Sequence, residues 1–456
     1  MRPTGAGARR ITPSESVRFR EELYEFLRIP SVSARSEFRH EMRRAGAWIV
    51  ETLQRAGFGA ELLDTAGHPL VLGEWRKAGA GAPTLLIYGH YDVQPAEPLE
   101  LWTSPPFEPV TREGRIYARG AADDKGQIFL HLKALELLLR DQGYLPVNVV
   151  VLIEGEEEIS SPHLLPFVEA SRERLAADAV LISDSAMFAA DRPSLLYSLR
   201  GIAYFELRVR GARGDLHSGS YGGAVPNAAT ELARILATLH GTDGRVAIRG
   251  FYDGVVQHDA TSRRAIQELP FLDEEFMDEA GVRALKGELG FSTLERLWTR
   301  PTCEINGILS GYTGEGAKTV LPSHAMAKVS FRLVPEQEPA QIASLFREHV
   351  KRVAAPGIEV DVLDLHGGRP WRAHAEGRFF EAARGALEEV FGVEPVLTGD
   401  GASIPIVTEL ERVLGAPAVL MGFALPGANM HAPDEWFPES HIEKGIATLL
   451  SFYGRL

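Results

Sequence analysis

Residues 149–162 read VVVLIEGEEEISSP, and the fold turns on how they are taken. Val149 to Ile153 form an unbroken apolar run, the pattern of a strand buried on both faces. Glu154, Glu156, Glu157 and Glu158 follow at once, four carboxylates in five residues. Like charges crowded at the end of a buried strand cost free energy unless something positive lies among them. A strand buried on both faces needs helices on either side, and ligands of such sheets gather at strand carboxyl ends. The stretch calls for an α/β sheet with a cationic partner at its C-terminal edge.

The flanking sequence agrees. APTLLIYGHYDV (82–93) and ADAVLISDS (177–185) are further short β-rich runs, and the amphipathic GQIFLHLKALELLLRDQG (126–143) lies before the 149–153 run. A Ser-capped helix is expected over SESVRFREELYEFLRIP (14–30), and the pattern returns near the end with GRFFEAARGALEEVFG, SIPIVTELERVLG, APAVLMGF and ESHIEKGIATLLSFYGRL. The middle reads differently. Ala203, Phe205, Leu207 and Val209 alternate with Tyr204, Glu206, Arg208 and Arg210, so one face of that strand is buried and the other wet. A helix starting at Pro226, two strands, a helix and a last strand follow, a β-α-β-β-α-β ferredoxin-like plan. The expected division is 1–198 and 371–456 for the α/β domain, with 199–370 inserted.

Composition narrows the function. The chain of 456 residues is long enough for two domains, and 48 basic against 62 acidic residues leave a net charge of −14. That balance argues against nucleic acid or an anionic membrane as partner. A single cysteine, Cys303, excludes a disulfide framework and a cysteine-rich zinc site, so a metal here must use His, Asp and Glu. No signal-peptide core and no span of about 20 apolar residues is found, so a cytoplasmic protein is expected.

The apolar runs end in polar groups. LLIYGHYD closes on His90 and Asp92, which share one side of an extended strand, and AVLISD closes on Asp184. YARGAADDKG adds Asp123 and Asp124 in a glycine-flanked turn, and GANMHAPDEW adds His431 in a loop. Taken singly, each is an ordinary turn or an exposed acidic loop. Taken together, most sit where a sheet converges them, as a His/Asp/Glu set suited to zinc, manganese or cobalt.

In order along the chain, GHYDVQPA, ARGAADDKG, EGEEEISS, ISDS, GDLHSG and NMHAPDEW resemble the motifs of the two-metal peptidases and amidohydrolases that include carnosinase, aminoacylases and bacterial dipeptidases. The chain is most similar to the carnosinase-like dipeptidases, from FLRIPSVS to the last helix. The resemblance implies a zinc-exopeptidase-like catalytic domain, a mainly parallel sheet with helices on both faces, carrying an inserted lid and dimerisation domain. It implies two divalent ions, zinc first, with His90, Asp123 and Asp184 on one and Asp123, Glu158 and His431 on the other. Asp92 would orient His90, and Glu157 would be the general base, moving a proton from water to the leaving amine. Glu157 and Glu158 are expected to point opposite ways from an extended turn, with Glu154 and Glu156 left to solvent or to supporting hydrogen bonds. A cis peptide between Asp123 and Asp124 is implied as well. Two divalent ions also answer the crowding of carboxylates, since Asp123, Glu158 and Asp184 then offset their charge.

The inserted domain is implied to contribute His217, reaching the partner subunit's site and steadying the carbonyl oxyanion. Arg332 would take the substrate's C-terminal carboxylate as a bidentate partner, with Thr319 and Ser403 as lesser contacts. One position departs from the pattern: Arg369 precedes PW in GGRPW, where carnosinase-like members tend to carry His. The leading expectation is a homodimeric dipeptidase acting on small peptides with a free carboxyl end. The alternatives are an N-acyl-amino-acid deacylase and a metal- or peptide-binding protein without activity; the presence of Glu157 speaks against the last.

Overall fold

A computed structural model of the chain describes residues 9–79, 81–401 and 404–456. They form two compact units, one from the described residues up to Tyr197 with Ala373–Thr398 and Glu409–Leu456, the other from Ser198–Arg372 with Gly399–Thr408.

In the first unit the strand Asn148–Glu154 lies inside the sheet, and Val149 to Ile153 are at most 1% exposed. Each such side chain contributes about 1.5–3 kcal/mol on burial. Thr84–His90 pairs with it in parallel, Ala179–Ile182 pairs in parallel with Thr84–His90, and Ala418–Leu420 with Ala179–Ile182. The sheet is parallel at its centre and antiparallel at its margins, where Leu70–Trp75 joins Asn148–Glu154, Gly59–Leu63 joins Leu70–Trp75, and Leu420 meets Leu196. Parallel pairing brings His90 level with Glu154, so the polar ends of both strands finish on one edge.

Helices Pro13–Leu27, Arg39–Ala56, Lys125–Gln142, Arg378–Phe391 and Glu439–Gly454 send Phe19, Ile49, Phe129, Leu387 and Leu449 into the unit's main core. The cap of the first helix is Thr12 rather than a serine. The Thr12–Glu15 spacing closes a reciprocal capping box, and Pro13 takes the first helical position, where its missing N–H costs nothing.

The second unit carries a four-stranded antiparallel sheet in the order Thr302–Ser310, His324–Leu333, Gly201–Arg210, Glu359–Gly368. Helices Ala228–Ala237 and Pro339–Val353 pack on it, burying Leu232, Ile235, Ile342 and Phe346 against Phe205, Leu207, Val329 and Phe331. Element order and strand order make this the ferredoxin-like plan. Pro226 stands outside its helix: Asn227 is the cap, its Oδ1 accepting from Ala229 N at 2.9 Å and Thr230 N at 3.3 Å. An amide side chain can satisfy those free donors, whereas proline at the cap could not.

Candidate metal centre

The centre is built at the C-terminal edge of the first unit's sheet. His90 ends its strand, 1% exposed. Its Nδ1 lies 3.1 Å from the Asp92 main-chain oxygen, and donating there leaves the Nε2 lone pair for the cluster. Nε2 sits 3.0 Å from Asp123 Oδ1 and 3.8 Å from Asp184 Oδ2. On the other side of Asp123, His431 Nε2 is 2.8 Å from Oδ2 and 3.3 Å from Glu158 Oε2. Ligand atoms of His90, Asp123 and Asp184 all lie within 4.8 Å of one another, and so do those of Asp123, Glu158 and His431. Asp123 is common to both groups, and Glu157 belongs to neither.

The donor set fits divalent ions. Each group offers one imidazole nitrogen and two carboxylates, a hard-to-intermediate set suited to zinc, manganese or cobalt. The electrostatics point the same way. In the protein alone, burial opposes a charged His90, but hydrogen bonds to Asp123 and Asp92 outweigh it and push its imidazole well up. Asp123 and Glu158 raise His431 to about 10. Burial lifts Asp184 to about 7, and burial with the neighbouring carboxylates lifts Glu157. The site concentrates negative charge so strongly that it holds protons on its histidines. A divalent cation can take the place of those protons.

Asp92 does more than steady His90. Its Oδ1 is 3.4 Å from His90 Nδ1, while its two oxygens accept from Glu157 N at 3.2 Å and Glu158 N at 3.1 Å. One buried carboxylate thus ties the His90 strand end to the carboxylate turn. That turn, Glu157–Ile159, is 3-10 rather than extended, because Asp92 satisfies its leading N–H groups and Ser160 closes it in the left-handed region at φ +72°. Neighbouring side chains then diverge by about 120°, enough to send Glu158 to the metal group and leave Glu157 out of it. Neither Glu154 nor Glu156 is in solvent. Glu154 Oε1 accepts from Tyr88 Oη at 2.6 Å and Ser161 Oγ at 2.8 Å, and Glu156 accepts from His68 N at 3.0 Å and pairs with His163 Nδ1 at 2.8 Å. The Asp123–Asp124 peptide is cis, as the family resemblance implies.

His431 sits in a loop where Asn429, His431 and Asp434 have φ of +55°, +62° and +56°. Non-glycine residues hold such angles only when the surroundings dictate them. Trp436 supplies part of that constraint, with its backbone N donating to Ala428 O at 3.0 Å and its indole to Gly427 O at 2.7 Å.

Sequence reasoning passed over Glu435. It is fully buried, Oε1 accepting from Ala122 N at 2.8 Å and Asp123 N at 3.1 Å, Oε2 from Gly120 N at 3.0 Å and Arg119 Nη1 at 2.8 Å. The signal was the second acidic residue of the Asp434–Glu435 pair in NMHAPDEW, four positions after His431, and nothing in the sequence set it apart.

In the second unit, His217 and Thr319 come together where Leu216–His217 pairs with Val320–Leu321 and Ser218 N donates to Thr319 O. His217 is exposed, and its Nδ1 accepts from Gly219 N at 3.1 Å, which leaves Nε2–H to donate outward. Arg332 lies in the strand His324–Leu333, opposite Ile202 and Thr302. Burial lowers its guanidinium, offset by Asp400; burial and Arg332 lower Arg200 to about 10. Arg369 binds Glu338 at 3.0 Å on the surface. Ser403 lies outside the described residues.

Comparison with known proteins returns one consistent group. Residues 86–455 match the profile of peptidase family M20/M25/M40. Cys-Gly metallodipeptidase dug1 of Schizosaccharomyces pombe is 31% identical over 94% of this chain and 93% of its own length. The human Beta-Ala-His dipeptidase is 29% identical over 95% of this chain and 89% of its own. The solved M20 family metallo-carboxypeptidase Sso-CP2 of Sulfolobus solfataricus superposes with a TM-score of 0.85 at 35% identity, over 95% of this chain and 98% of that one.

Proposed function

This chain belongs to peptidase family M20/M25/M40, and on that premise we propose how it works. It is a two-metal hydrolase that cleaves the amide bond of dipeptides. His90, Asp123 and Asp184 would hold one ion, and Asp123, Glu158 and His431 the other, zinc being our first choice. The observation that supports this most directly is two three-residue groups meeting at one shared carboxylate, with Glu157 a member of neither but within the electrostatic reach of His90, Asp184, Glu158 and Asp123.

When bound, the ions would polarise the scissile carbonyl and acidify the attacking water. The chain's own residues do the rest. Glu157, half-buried and crowded by carboxylates, takes the proton from water and hands it to the leaving nitrogen. Asp92 fixes both the His90 tautomer and the turn that aims Glu157. His217 donates from Nε2 to the developing oxyanion. Arg332 binds the free C-terminal carboxylate, with Thr319 and Ser403 assisting. That recognition is in keeping with a likeness to proteins named as dipeptidases and as a metallo-carboxypeptidase. A homodimer joined through the second unit, in the cytoplasm, completes the reading; among the described residues no helix is long and apolar enough to cross a membrane.

The test is direct. Dialysis against a chelator should abolish dipeptide hydrolysis, and zinc, manganese or cobalt should restore it, while elemental analysis of the protein as purified names the metal it carries. Full turnover by protein shown metal-free by elemental analysis would end the two-metal reading.

A further inference from the structure

We propose that Glu435, with Arg119, is the positioning residue for the shared ligand Asp123, and so sets cation affinity at both halves of the centre at once. Nothing in the mechanism above uses it. Four donors converge on one carboxylate that is itself fully buried: three backbone N–H groups of one turn, those of Gly120, Ala122 and Asp123, and the Arg119 guanidinium. The Asp123 N–H is among them, so the Glu435 carboxylate bonds directly to the backbone of the residue whose side chain reaches both histidines.

The Gly120–Asp124 turn is also held by Ala121 N donating to Ala118 O at 3.2 Å, Gly126 N to Gly120 O at 3.2 Å and Gln127 Nε2 to Ala122 O at 2.9 Å, but none of these bonds engages Asp123. Gly120 has φ +85°, and a Cβ there would sit 2.7 Å from Val93 Cγ1, so the turn is tight as well as left-handed. Glu435 lies four residues beyond His431, in the loop that Trp436 closes. One loop therefore carries a ligand in His431 and a brace for the shared ligand in Glu435. Arg119 is 1% exposed, and its other nitrogen Nη2 reaches Pro95 O at 3.3 Å, anchoring the brace to the segment after His90 and Asp92.

All four hydrogen-bond partners of the Glu435 carboxylate are donors, an arrangement that two acceptor oxygens satisfy and an amide cannot. A glutamine would turn an NH2 group toward backbone N–H groups or toward Arg119, and the turn must shift. Groups that orient metal ligands commonly change affinity 10–100-fold when removed. Because Asp123 serves both groups, the loss should appear at both, unlike the loss of His431 or His90.

The inference rests on the two-ion reading, so titration of the wild-type protein with cobalt comes first. Fewer than two cobalt ions per chain would sink that reading; the positioning role would then be overturned as well if Glu435→Gln left the affinity of the single remaining site unchanged. With two ions bound, Glu435→Gln of unchanged circular dichroism should bind both at least about tenfold more weakly, with altered visible cobalt bands. Wild-type affinities and bands, or weakening at one site alone, would overturn the proposal. If Glu435→Gln does not fold, Arg119→Lys serves. It keeps the charge, loses the fixed guanidinium geometry, and should weaken both sites to a smaller degree; unchanged binding at both would overturn the proposal equally.

Discussion

Glu157 and Glu158 are neighbours in the chain, and the 3-10 turn separates their tasks. Glu158 Oε2 faces His431 and accepts from Gln94 Nε2 at 2.7 Å, so it is held as a ligand is held. Glu157 has only its backbone fixed, by Asp92. Glu157→Gln should therefore keep two ions per chain and lose at least about 10²-fold in kcat, the scale of a general base. Glu158→Gln should lose metal. Metal analysis beside turnover separates the two, and the reverse pattern would mean the roles are exchanged. Arg332 gives a second prediction at this scale. If it holds the substrate carboxylate, amidating the C-terminus of a dipeptide should cost the wild-type enzyme about 2–5 kcal/mol in kcat/KM. Arg332→Ala should barely distinguish acid from amide, and an equal preference in both enzymes would place the carboxylate elsewhere. The ligand residues were legible because each ends an apolar run or sits in a motif, and a strand end is where an α/β sheet gathers its chemistry. Glu435 was not, since its role lies in four hydrogen bonds to residues more than 300 positions away.

At the scale of elements, the apolar runs could be read because full burial leaves no polar residue in them. The margin strands Gly59–Leu63 and Leu70–Trp75 went unread, as did the small sheet of Val110–Arg112, Arg115–Tyr117 and Trp436–Pro438. Apart from the buried Leu70–Trp75, these strands are short or half-exposed, and their pairing is decided by partners distant in sequence. The carboxylate turn was misjudged as extended for a similar reason: only the buried Asp92, 65 residues away, makes a 3-10 turn there favourable. Between the helix Ala228–Ala237 and the strand Thr302–Ser310 the second unit carries three further helices, Ala260–Gln267, Asp273–Ala280 and Thr293–Thr299, and they offer a stability test. Ser292 and Glu295 form a capping box at the start of Thr293–Thr299, and Glu295 also accepts from Arg263 Nε at 2.5 Å and Gln267 Nε2 at 3.1 Å. Burial opposes the charge of Glu295, but Arg263, Ser292 and Gln267 outweigh it and hold its carboxyl at about 2, below the ordinary 4.5. A carboxyl depressed on folding adds stability above its unfolded value and loses it as pH falls through the folded one. Glu295→Gln should thus lower Tm at pH 7, and the gap to wild type should close as pH falls from about 4.5 toward 2. A gap that persists unchanged at pH 2 would show that packing, not charge, carries the contribution.

At the scale of the whole molecule, the question is which chain completes each site. All the metal-binding candidates and Glu157 belong to the first unit, whereas His217 and Thr319 belong to the second. The Nε2–H of His217 faces outward, exposed, with its Nδ1 engaged by Gly219. If the chain pairs through the second unit, that exposed donor is available to another chain. A twofold dimer is reciprocal, so each His217 would serve the other chain's centre. His217→Ala and Glu157→Gln homodimers should then both be inactive. Mixed and reassociated, a His217→Ala chain keeps its base and borrows His217 from its partner, which completes one of the two sites. Random pairing makes about half the dimers mixed, so activity should return to roughly a quarter of wild type. The recovered activity should also depend on dilution, falling as dimers dissociate, which wild-type protein at the same concentration calibrates. Confirmed heterodimers that stay inactive would place His217 within its own chain's chemistry or outside the reaction altogether.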